Sequence, residues 1–436
     1  MPTVNASTEC PLSDRQQAHN VMLYGLTWGM IYLAAPVLYI GLTQASLLQQ
    51  LGYNEFTCNL PGSIYLWFSP TAVIIAWMFP YVRLLKRVVA IGYLVSSAMA
   101  GLVFVGLLLP APHLALMAVL VHAAVVSGTN GTCVAFTWEI LSRAMSARRR
   151  GYAFALSTGP GALMAVIGSL ASQWLLTRDW TTSFGFRLNF ALLYLGVVPL
   201  MLIAAWCSAR LHVPQPETEI SRQPFIATIF GGFWEFITNR LILIAVIGYI
   251  LVYAGFSIMP TITLYTPTAV GVSSQDLVGY QQALLFGCKV FMGIFLGWLL
   301  VRSHPKLPLI ITTLVCILAV LWAMLAPGYW FMLSFGIMGA GQLYGLYFPN
   351  YVASCSAPDK TRQNMAFCGL ILLPCGAMPL VYGAVVDHFK TSLGEQAAFQ
   401  LSFGLSVAIL TLGLLVVVAC LPRRPMVTPQ PDLIDE

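Results

Sequence analysis

Residues 277–302 read LVGYQQALLFGCKVFMGIFLGWLLVR and are apolar almost throughout. As an α-helix with a rise of ~1.5 Å per residue, this stretch is ~39 Å long, enough to cross a ~30 Å hydrocarbon core with some tilt. Lys289 lies at its middle, thirteen residues from both Asp276 and Arg302. A charge at that depth costs ~2.5–3.5 kcal/mol on insertion scales, so we expect it to face protein or water. Two interpretations stay open: a substrate or ion site, or a structural tie to a neighbouring helix.

The composition indicates an integral, multi-pass membrane protein of the cell or inner membrane, with the lipid bilayer as its surroundings. The 436 residues are 58% hydrophobic and 8% charged, whereas soluble domains are about 25% charged. The polar first seventeen residues contain no apolar core of a cleaved signal peptide. The formal charge of +6 does not indicate nucleic-acid binding, because the basic residues cluster in particular loops. The ten cysteines form no CxxC pair or Cys/His cluster, so we expect no metal and no cofactor.

Twelve apolar segments can be read along the chain, and Lys and Arg are distributed unevenly between the loops that join them. With the N-terminus in the cytoplasm, 17 basic residues fall on the inner side and 3 on the outer side, which predicts that both termini are cytoplasmic. The segments fall into a bundle at 1–209, a cytoplasmic linker at 210–238 and a second bundle with a short tail at 239–436. The segments are roughly 20–48, 58–82, 88–109, 113–140, 151–177, 186–209, 239–267, 276–302, 307–326, 329–356, 363–386 and 396–421.

A family resemblance is carried by residues 139–151, EILSRAMSARRRG, which join segments 4 and 5. This stretch resembles the loop of an acidic residue followed by RRG in the major facilitator superfamily, and Gly128 and Gly131 resemble the glycine pair of its fourth helix. The resemblance implies an all-α membrane protein of twelve transmembrane helices in two pseudo-symmetric six-helix bundles. It also implies secondary active transport by alternating access.

The sequence departs from the superfamily at several positions. Residues 76–88, AWMFPYVRLLKRV, keep Arg83, Lys86 and Arg87 of the loop between helices 2 and 3 but lack its Asp and both glycines. These losses argue against a drug/proton antiporter, and no subfamily is assigned. No Asp or Glu lies in the middle of any segment, so we expect no coupling through a membrane carboxylate.

The resemblance implies that helices 1, 4, 7 and 10 line a central cavity, flanked by helices 2, 5, 8 and 11. Segments 1, 7 and 10 are independently rich in polar and aromatic residues. For any single tyrosine, packing in a core is the favoured interpretation, and for His122 an ordinary interhelical donor is favoured over a proton carrier. The candidate substrate-binding residues are Trp28, Tyr32, His122, Asn130, Tyr249, Tyr253, Gln282, Lys289 and Gln342.

A cytoplasmic gate is predicted at the loop that carries the family resemblance. Glu139 lies four residues before Arg143, so the two can pair one helical turn apart. Arg83 and Arg87 are alternative partners from the loop below segment 2. These four residues are the candidate gate.

The sequence therefore predicts a monomeric, non-enzymatic transporter that moves a small organic solute, with an anionic solute favoured by Lys289. The alternative is a carrier of a neutral solute such as a sugar or nucleoside, in which Lys289 pairs with neutral groups. A third hypothesis is a lipid flippase or a non-transporting membrane protein. A membrane-embedded enzyme is disfavoured, because the apolar segments and the loops between them contain no HxxxH, DxxD or GxSxG motif.

Overall fold

The computed structural model describes residues 12–79, 81–179, 185–214, 225–356 and 361–423. Within these ranges the regular secondary structure is helical, without a β-strand. Inner and outer below name the two membrane faces as the sequence predicts them.

The helices of the first half of the chain follow the six predicted segments, with several segments divided in two. They are α1 (Asp14–Leu33), α2 (Ala35–Leu38), α3 (Leu42–Gln50), α4 (Glu55–Phe68), α5 (Thr71–Met78), α6 (Leu85–Leu108), α7 (Pro112–Ala144), α8 (Ala147–Thr158), α9 (Pro160–Leu176) and α10 (Phe186–Ala209). A 3-10 turn at Val82–Leu84 precedes α6.

The second half begins with a helix in the predicted linker and then continues through the remaining segments. Its helices are α11 (Phe225–Thr238), α12 (Arg240–Phe256), α13 (Met259–Leu264), α14 (Thr266–Val270), α15 (Val278–Arg302), α16 (Lys306–Leu325), α17 (Leu333–Gly341), α18 (Tyr344–Ser354), α19 (Thr361–Leu370), α20 (Met378–Leu393) and α21 (Glu395–Cys420). The 3-10 turns are Ser274–Asp276, Gly328–Met332 and Leu373–Ala377. Residues 215–224 of the predicted linker lie outside the described residues.

Side-chain caps fix where several helices begin. Ser13 and Gln16 form a capping box at the start of α1, and Asn54 accepts the Thr57 N–H at 3.2 Å at the start of α4. Asn239 caps α12 in the same way. Each cap satisfies backbone donors that the helix leaves open at its first turn.

Among the described residues, ten helical stretches are long and apolar enough to cross a membrane. Predicted segments 1 and 10 are absent from these ten, and the structure interrupts both. Segment 1 is interrupted at Ala34, just before Pro36, and again at Gly41. Segment 10 is interrupted at Gln342 and Leu343. Backbone groups freed inside a membrane must find partners in protein, so both segments need neighbouring helices.

The described chain separates into two compact units that do not follow chain order. One comprises Met1–Tyr39 with Pro70–Arg222, and the other comprises Ile40–Ser69 with Gln223–Glu436. The chain passes between them next to Gly41, which has a φ of 151°, and at Pro70. The sequence-based boundaries at 209 and 239 divide the chain into two six-helix bundles and a linker, which is a different division from the two compact units. These boundaries stay a prediction.

In the first unit, α6 packs between α7 and α10. Small residues allow the close approach: a Cβ on Gly106 would lie 2.9 Å from the Ala118 Cβ. In the second unit, α12 packs on α21, and Ser406 Oγ donates to the Gly255 carbonyl at 2.8 Å. Both contacts are of the kind that holds helices together in lipid, where hydrophobicity alone does not.

Candidate functional site

Lys289 lies in the middle of α15 within the second unit, where it is half-buried. Its Nζ donates a hydrogen bond to Gln342 Oε1 at 3.2 Å. Gln342 occupies the interruption between α17 and α18. No carboxylate in the described part of the chain forms an ion pair with Lys289. The structure therefore brings two predicted site residues together and gives the ammonium a neutral partner.

Glycines on α17 allow α15 to come close enough for that hydrogen bond. A Cβ on Gly339 would overlap the carbonyl oxygen of Leu285, and one on Gly336 would lie 2.9 Å from Cys288 Sγ. Leu285 is one turn before Lys289, and Gly339 is three residues before Gln342. The backbone-to-backbone contact thus sets the distance between the two polar side chains.

Tyr249 and Tyr253 belong to a ring cluster in the same unit. Their ring centroids lie 6.0 Å apart, and the Tyr344 ring lies 6.2 Å from Tyr249 and 5.6 Å from Tyr253. Tyr249 and Tyr344 are buried, whereas Tyr253 is half-buried. Because Tyr344 follows Gln342 by two residues, the tyrosine cluster and the Lys289–Gln342 pair are close to each other in sequence.

Gln282 lies two turns before Lys289 on α15 and is buried. Its Nε2 donates to the Thr43 hydroxyl at 2.9 Å. Thr43 belongs to α3, which the chain contributes to the second unit from its first half. Gln282 is thus engaged with another helix, at a position outward of Lys289.

Trp28 and Tyr32 lie on α1 in the first unit and form part of a ladder of rings. Their centroids are 5.6 Å apart, and Tyr32 stacks on Tyr39 at 6.5 Å. Both are half-buried. A Cβ on Gly161 would lie 3.0 Å from the Tyr32 ring, so a glycine of α9 makes room for it.

His122 lies on α7 and is fully buried. Its ring meets the Tyr194 ring edge-on at 5.3 Å, and neither ring nitrogen has a hydrogen-bond partner in the described chain. Asn130, two turns further along α7, is half-buried. His122 is thus enclosed by α7 and α10, whereas Asn130 retains some exposure.

The predicted gate residues lie at the inner end of the first unit. Arg143 Nη2 lies 2.8 Å from Glu139 Oε1, and its Nε donates to the same oxygen at 3.0 Å. Arg83 is exposed, with its guanidinium 5.1 Å from the Tyr81 ring centroid. Arg87 is exposed. The predicted Glu139–Arg143 contact is present, and we call it the inner pair.

The sequence analysis missed a charged cluster at the outer end of the second unit. Lys390 Nζ lies 2.8 Å from Glu55 Oε2 and 2.9 Å from Asp387 Oδ1. Asp387 Oδ2 also accepts the Phe56 N–H at 2.8 Å, in the first turn of α4. We call Glu55, Asp387 and Lys390 the outer triad. The three-residue spacing of Asp387 and Lys390 on one helix could have indicated their contact from the sequence. Nothing in the sequence indicated the contact with Glu55.

Neutral side chains add to this outer contact. Gln49 Nε2 donates to the Leu264 carbonyl at 3.0 Å, and Ser274 Oγ donates to Gln49 Oε1 at 2.7 Å. Thr261 Oγ1 donates to Asn59 Oδ1 at 3.1 Å. Residues 40–69 therefore bind the second half of the chain through hydrogen bonds of amide and hydroxyl groups as well as through ion pairs.

Solved structures of known transporters share this architecture. A bacterial homolog of the human lysosomal transporter Spinster superposes with a TM-score of 0.68 at 17% identity, covering 96% of this chain and 100% of that one. A D-xylose–proton symporter gives a TM-score of 0.66 at 13% identity, with 93% and 98% covered. The nucleoside transporter NupG gives 0.63 at 14% identity, with 92% and 98% covered.

The chain has the major facilitator fold. This confirms the expected all-α membrane protein of twelve helices, although no subfamily follows from it. No protein-family model matches the sequence, and no curated protein matches it. At sequence identities of 13–17%, the similarity to these transporters concerns the fold alone. The roles of the candidate residues therefore rest on the contacts described above.

Proposed function

We propose that this protein is a secondary transporter that moves a small organic anion across the membrane by alternating access. The observation that carries the proposal is Lys289, half-buried at mid-helix and hydrogen-bonded to the neutral Gln342. A neutral amide accepts a hydrogen bond but does not cancel the charge. A carboxylate or phosphate on the solute would do both, because charge-assisted hydrogen bonds are about twice as strong as neutral ones.

The tyrosine cluster supports an organic solute over an inorganic ion. Tyr253 is half-buried beside Tyr344, which follows Gln342 closely in the chain. Aromatic rings pack against apolar parts of a ligand while their hydroxyl groups stay available for hydrogen bonds. In our proposal the protein acts as a monomer, with its termini in the cytoplasm.

A carrier of a neutral solute is the second candidate, and one observation favours it. The hydrogen bond that the structure gives Lys289 is to an amide, so Lys289 would then serve to hold Gln342 in place. The structural neighbours include a nucleoside transporter and a D-xylose–proton symporter. A sugar or nucleoside would need hydrogen-bonding side chains rather than a cation.

The two candidates are separated by substituting Lys289. Uptake of a metabolite panel into proteoliposomes first identifies the solute, with and without a pH gradient. For an anion, we expect Lys289→Met to lower uptake by about 10- to 150-fold, since a hydrogen bond to a charged group contributes ~1.5–3 kcal/mol. Lys289→Arg should retain little, because a planar guanidinium does not occupy the place of a compact ammonium.

Lys86→Met is the matched control, because it removes a lysine of the inner loop from the same chain. It should leave uptake within about twofold of wild type, as expected of a substitution at a half-buried position away from the site. A well-folded Lys289→Met variant that transports the identified solute at the wild-type rate would show that the lysine is structural. The neutral-solute candidate would then stand.

The proposed orientation has its own test. In a cysteine-less background, Asp179→Cys lies at the predicted outer end and Ser142→Cys at the predicted inner end, and both positions are exposed. We expect a membrane-impermeant thiol reagent added to intact cells to label residue 179 and to spare residue 142. The reverse pattern would overturn the orientation.

A further inference from the structure

A cavity of about 870 Å³ opens at the inner end of the first unit, where α8 meets α1. Its lining includes the charged side chains of Arg148, Arg149 and Asp14. It also includes the apolar side chains of Val21 and Leu156. We call this space the arginine cavity. A lining of this mixed kind suits a ligand with a charged end and an apolar end.

The positive charge of the arginine cavity is only partly compensated. Arg149 Nη2 lies 3.7 Å from Asp14 Oδ1, and the Asp14 side chain is 91% exposed. Such an exposed ion pair is worth ~0–1 kcal/mol. The Arg148 guanidinium lies 5.9 Å from the exposed Tyr152 ring. The lining thus holds two guanidinium groups against one carboxylate, which leaves a net charge of +1 for an anion to neutralise.

An exposed apolar face continues from the cavity along the same membrane segment. Leu156 is exposed in α8, and Leu163, Ile167 and Leu170 are exposed in α9 at helical spacing. From Leu156 to Leu170 the distance is ~21 Å at ~1.5 Å per residue. This exceeds the ~15 Å depth of one leaflet, which is half of a ~30 Å hydrocarbon core. The face is therefore long enough to accompany an acyl chain to the bilayer midplane.

We propose that the arginine cavity binds the headgroup of an anionic phospholipid, with an acyl chain lying along Leu156, Leu163 and Ile167. The headgroup phosphate would accept hydrogen bonds from the two guanidinium groups, whose planar forks match phosphate oxygens. The exposed Tyr152 has the amphipathic character of residues at a membrane interface. This lipid site is independent of the transported solute, because it would be occupied whatever the protein carries.

Lipid retention on the purified full-length protein tests the proposal without any transport assay. The protein is equilibrated with equal amounts of phosphatidylglycerol and phosphatidylcholine, and the adducts are counted by native mass spectrometry. We expect phosphatidylglycerol to be preferred. Replacing Arg148 and Arg149 together by Gln should lower its retention about 25-fold, or about fivefold for each basic residue near the surface.

The matched control is the double variant Arg210→Gln, Arg240→Gln, which removes the same charge from other predicted inner positions. It should keep the phosphatidylglycerol preference within about twofold. Equal losses in the two double variants would mean that total charge, and not the cavity, attracts the lipid, which overturns the proposal. Equal retention of the two lipids by the wild type overturns it as well.

Two further experiments distinguish a lipid phosphate from free phosphate and test the site in case the arginine variant does not fold. Leu156→Asp should weaken phosphatidylglycerol retention, and inorganic phosphate should not displace the lipid. If phosphate displaces it completely and Leu156→Asp has no effect, the cavity is a site for free phosphate. Phosphatidylglycerol with a photoreactive acyl chain should label residues 152–170 of the unaltered protein, and labelling elsewhere alone would contradict the assignment.

Discussion

The outer triad and the inner pair are both ion pairs at helix ends, but they join very different parts of the chain. Lys390 reaches Glu55 across 335 residues of sequence, whereas Glu139 and Arg143 are four residues apart on α7. A pair within one helix survives any rigid movement of that helix. A pair between helices breaks when the helices separate. Of the two, only the outer triad can oppose separation of α4 from α20.

The two regions also differ in how their charges are compensated. In the outer triad, two carboxylates share one ammonium, and the remaining negative charge lies at the first turn of α4, where Asp387 accepts the Phe56 N–H. Helix N-termini favour negative charge. At the inner end, Arg148, Arg149 and Arg150 stand in sequence with few acids nearby. The charges of the outer triad are thus compensated by one another and by the helix N-terminus, whereas the inner end has positive charge left for other partners.

The largest expected effect comes from forcing α4 away from α20. A Cβ on Gly383 would lie 2.6 Å from the Glu55 carbonyl oxygen, and backbone cannot rotate out of the way. We expect Gly383→Ala to lower the free energy of unfolding by ~1–3 kcal/mol. At about 2–4 °C per kcal/mol, the thermal midpoint in detergent should fall measurably.

Gly404→Ala is the matched control for this substitution, because a Cβ there meets nothing within 4 Å. It should leave the thermal midpoint unchanged or raise it, since Ala is favoured over Gly in a helix. Equal midpoints for Gly383→Ala and Gly404→Ala would show that the α4–α20 contact is loose.

The next largest effect should come from removing the ammonium of the outer triad. Lys390→Met leaves Glu55 and Asp387 facing each other, and like charges repel. With the other cysteines replaced, we expect accessibility of the buried Cys58 of α4 to a thiol reagent to rise about 5- to 30-fold, which corresponds to ~1–2 kcal/mol. Adding Glu55→Gln to Lys390→Met should reverse part of this rise. If the two substitutions act additively, the triad has no coupling energy.

The smallest effect is expected at the inner pair. Glu139→Gln breaks a contact that is worth only ~0–1 kcal/mol because it is near the surface. The thermal midpoint should stay the same, while transport or conformational labelling shifts by no more than about fivefold. Raising the salt concentration should mimic this shift in the wild type, since screening acts on exposed pairs first. If both transport and labelling are unchanged by Glu139→Gln, the gate role of the inner pair is wrong.

Much of the fold could be predicted because its signals are local. Runs of apolar residues long enough to span a bilayer give the segments, and Asn54 and Asn239 mark helix starts as caps. Segments 1 and 10 are where the structure departs most from a single unbroken helix. Pro36 signals the first interruption, whereas the interruption at Gln342 has no proline at it.

The candidate site was predictable only in part. Lys289, Gln342 and the Tyr249–Tyr253 pair were selected for their polarity within apolar helices, and the structure places Lys289 on Gln342. His122 was selected for the same reason, yet it lies fully buried against Tyr194. Polarity in the sequence marks an unusual residue but does not show whether it faces a cavity or a core. The roles of these residues stay predictions.

The sequence by itself determined that this is a twelve-helix membrane protein, because every backbone group in lipid must be satisfied within its own segment or by neighbouring protein. It also determined which side chains are costly in the membrane. The tertiary structure decided which distant residues meet: Lys289 with Gln342, Gln282 with Thr43, and Glu55 with Lys390. The physical reason is that burial of apolar surface is non-directional. Pairing between helices depends instead on where small residues such as Gly339 and Gly383 let two backbones touch.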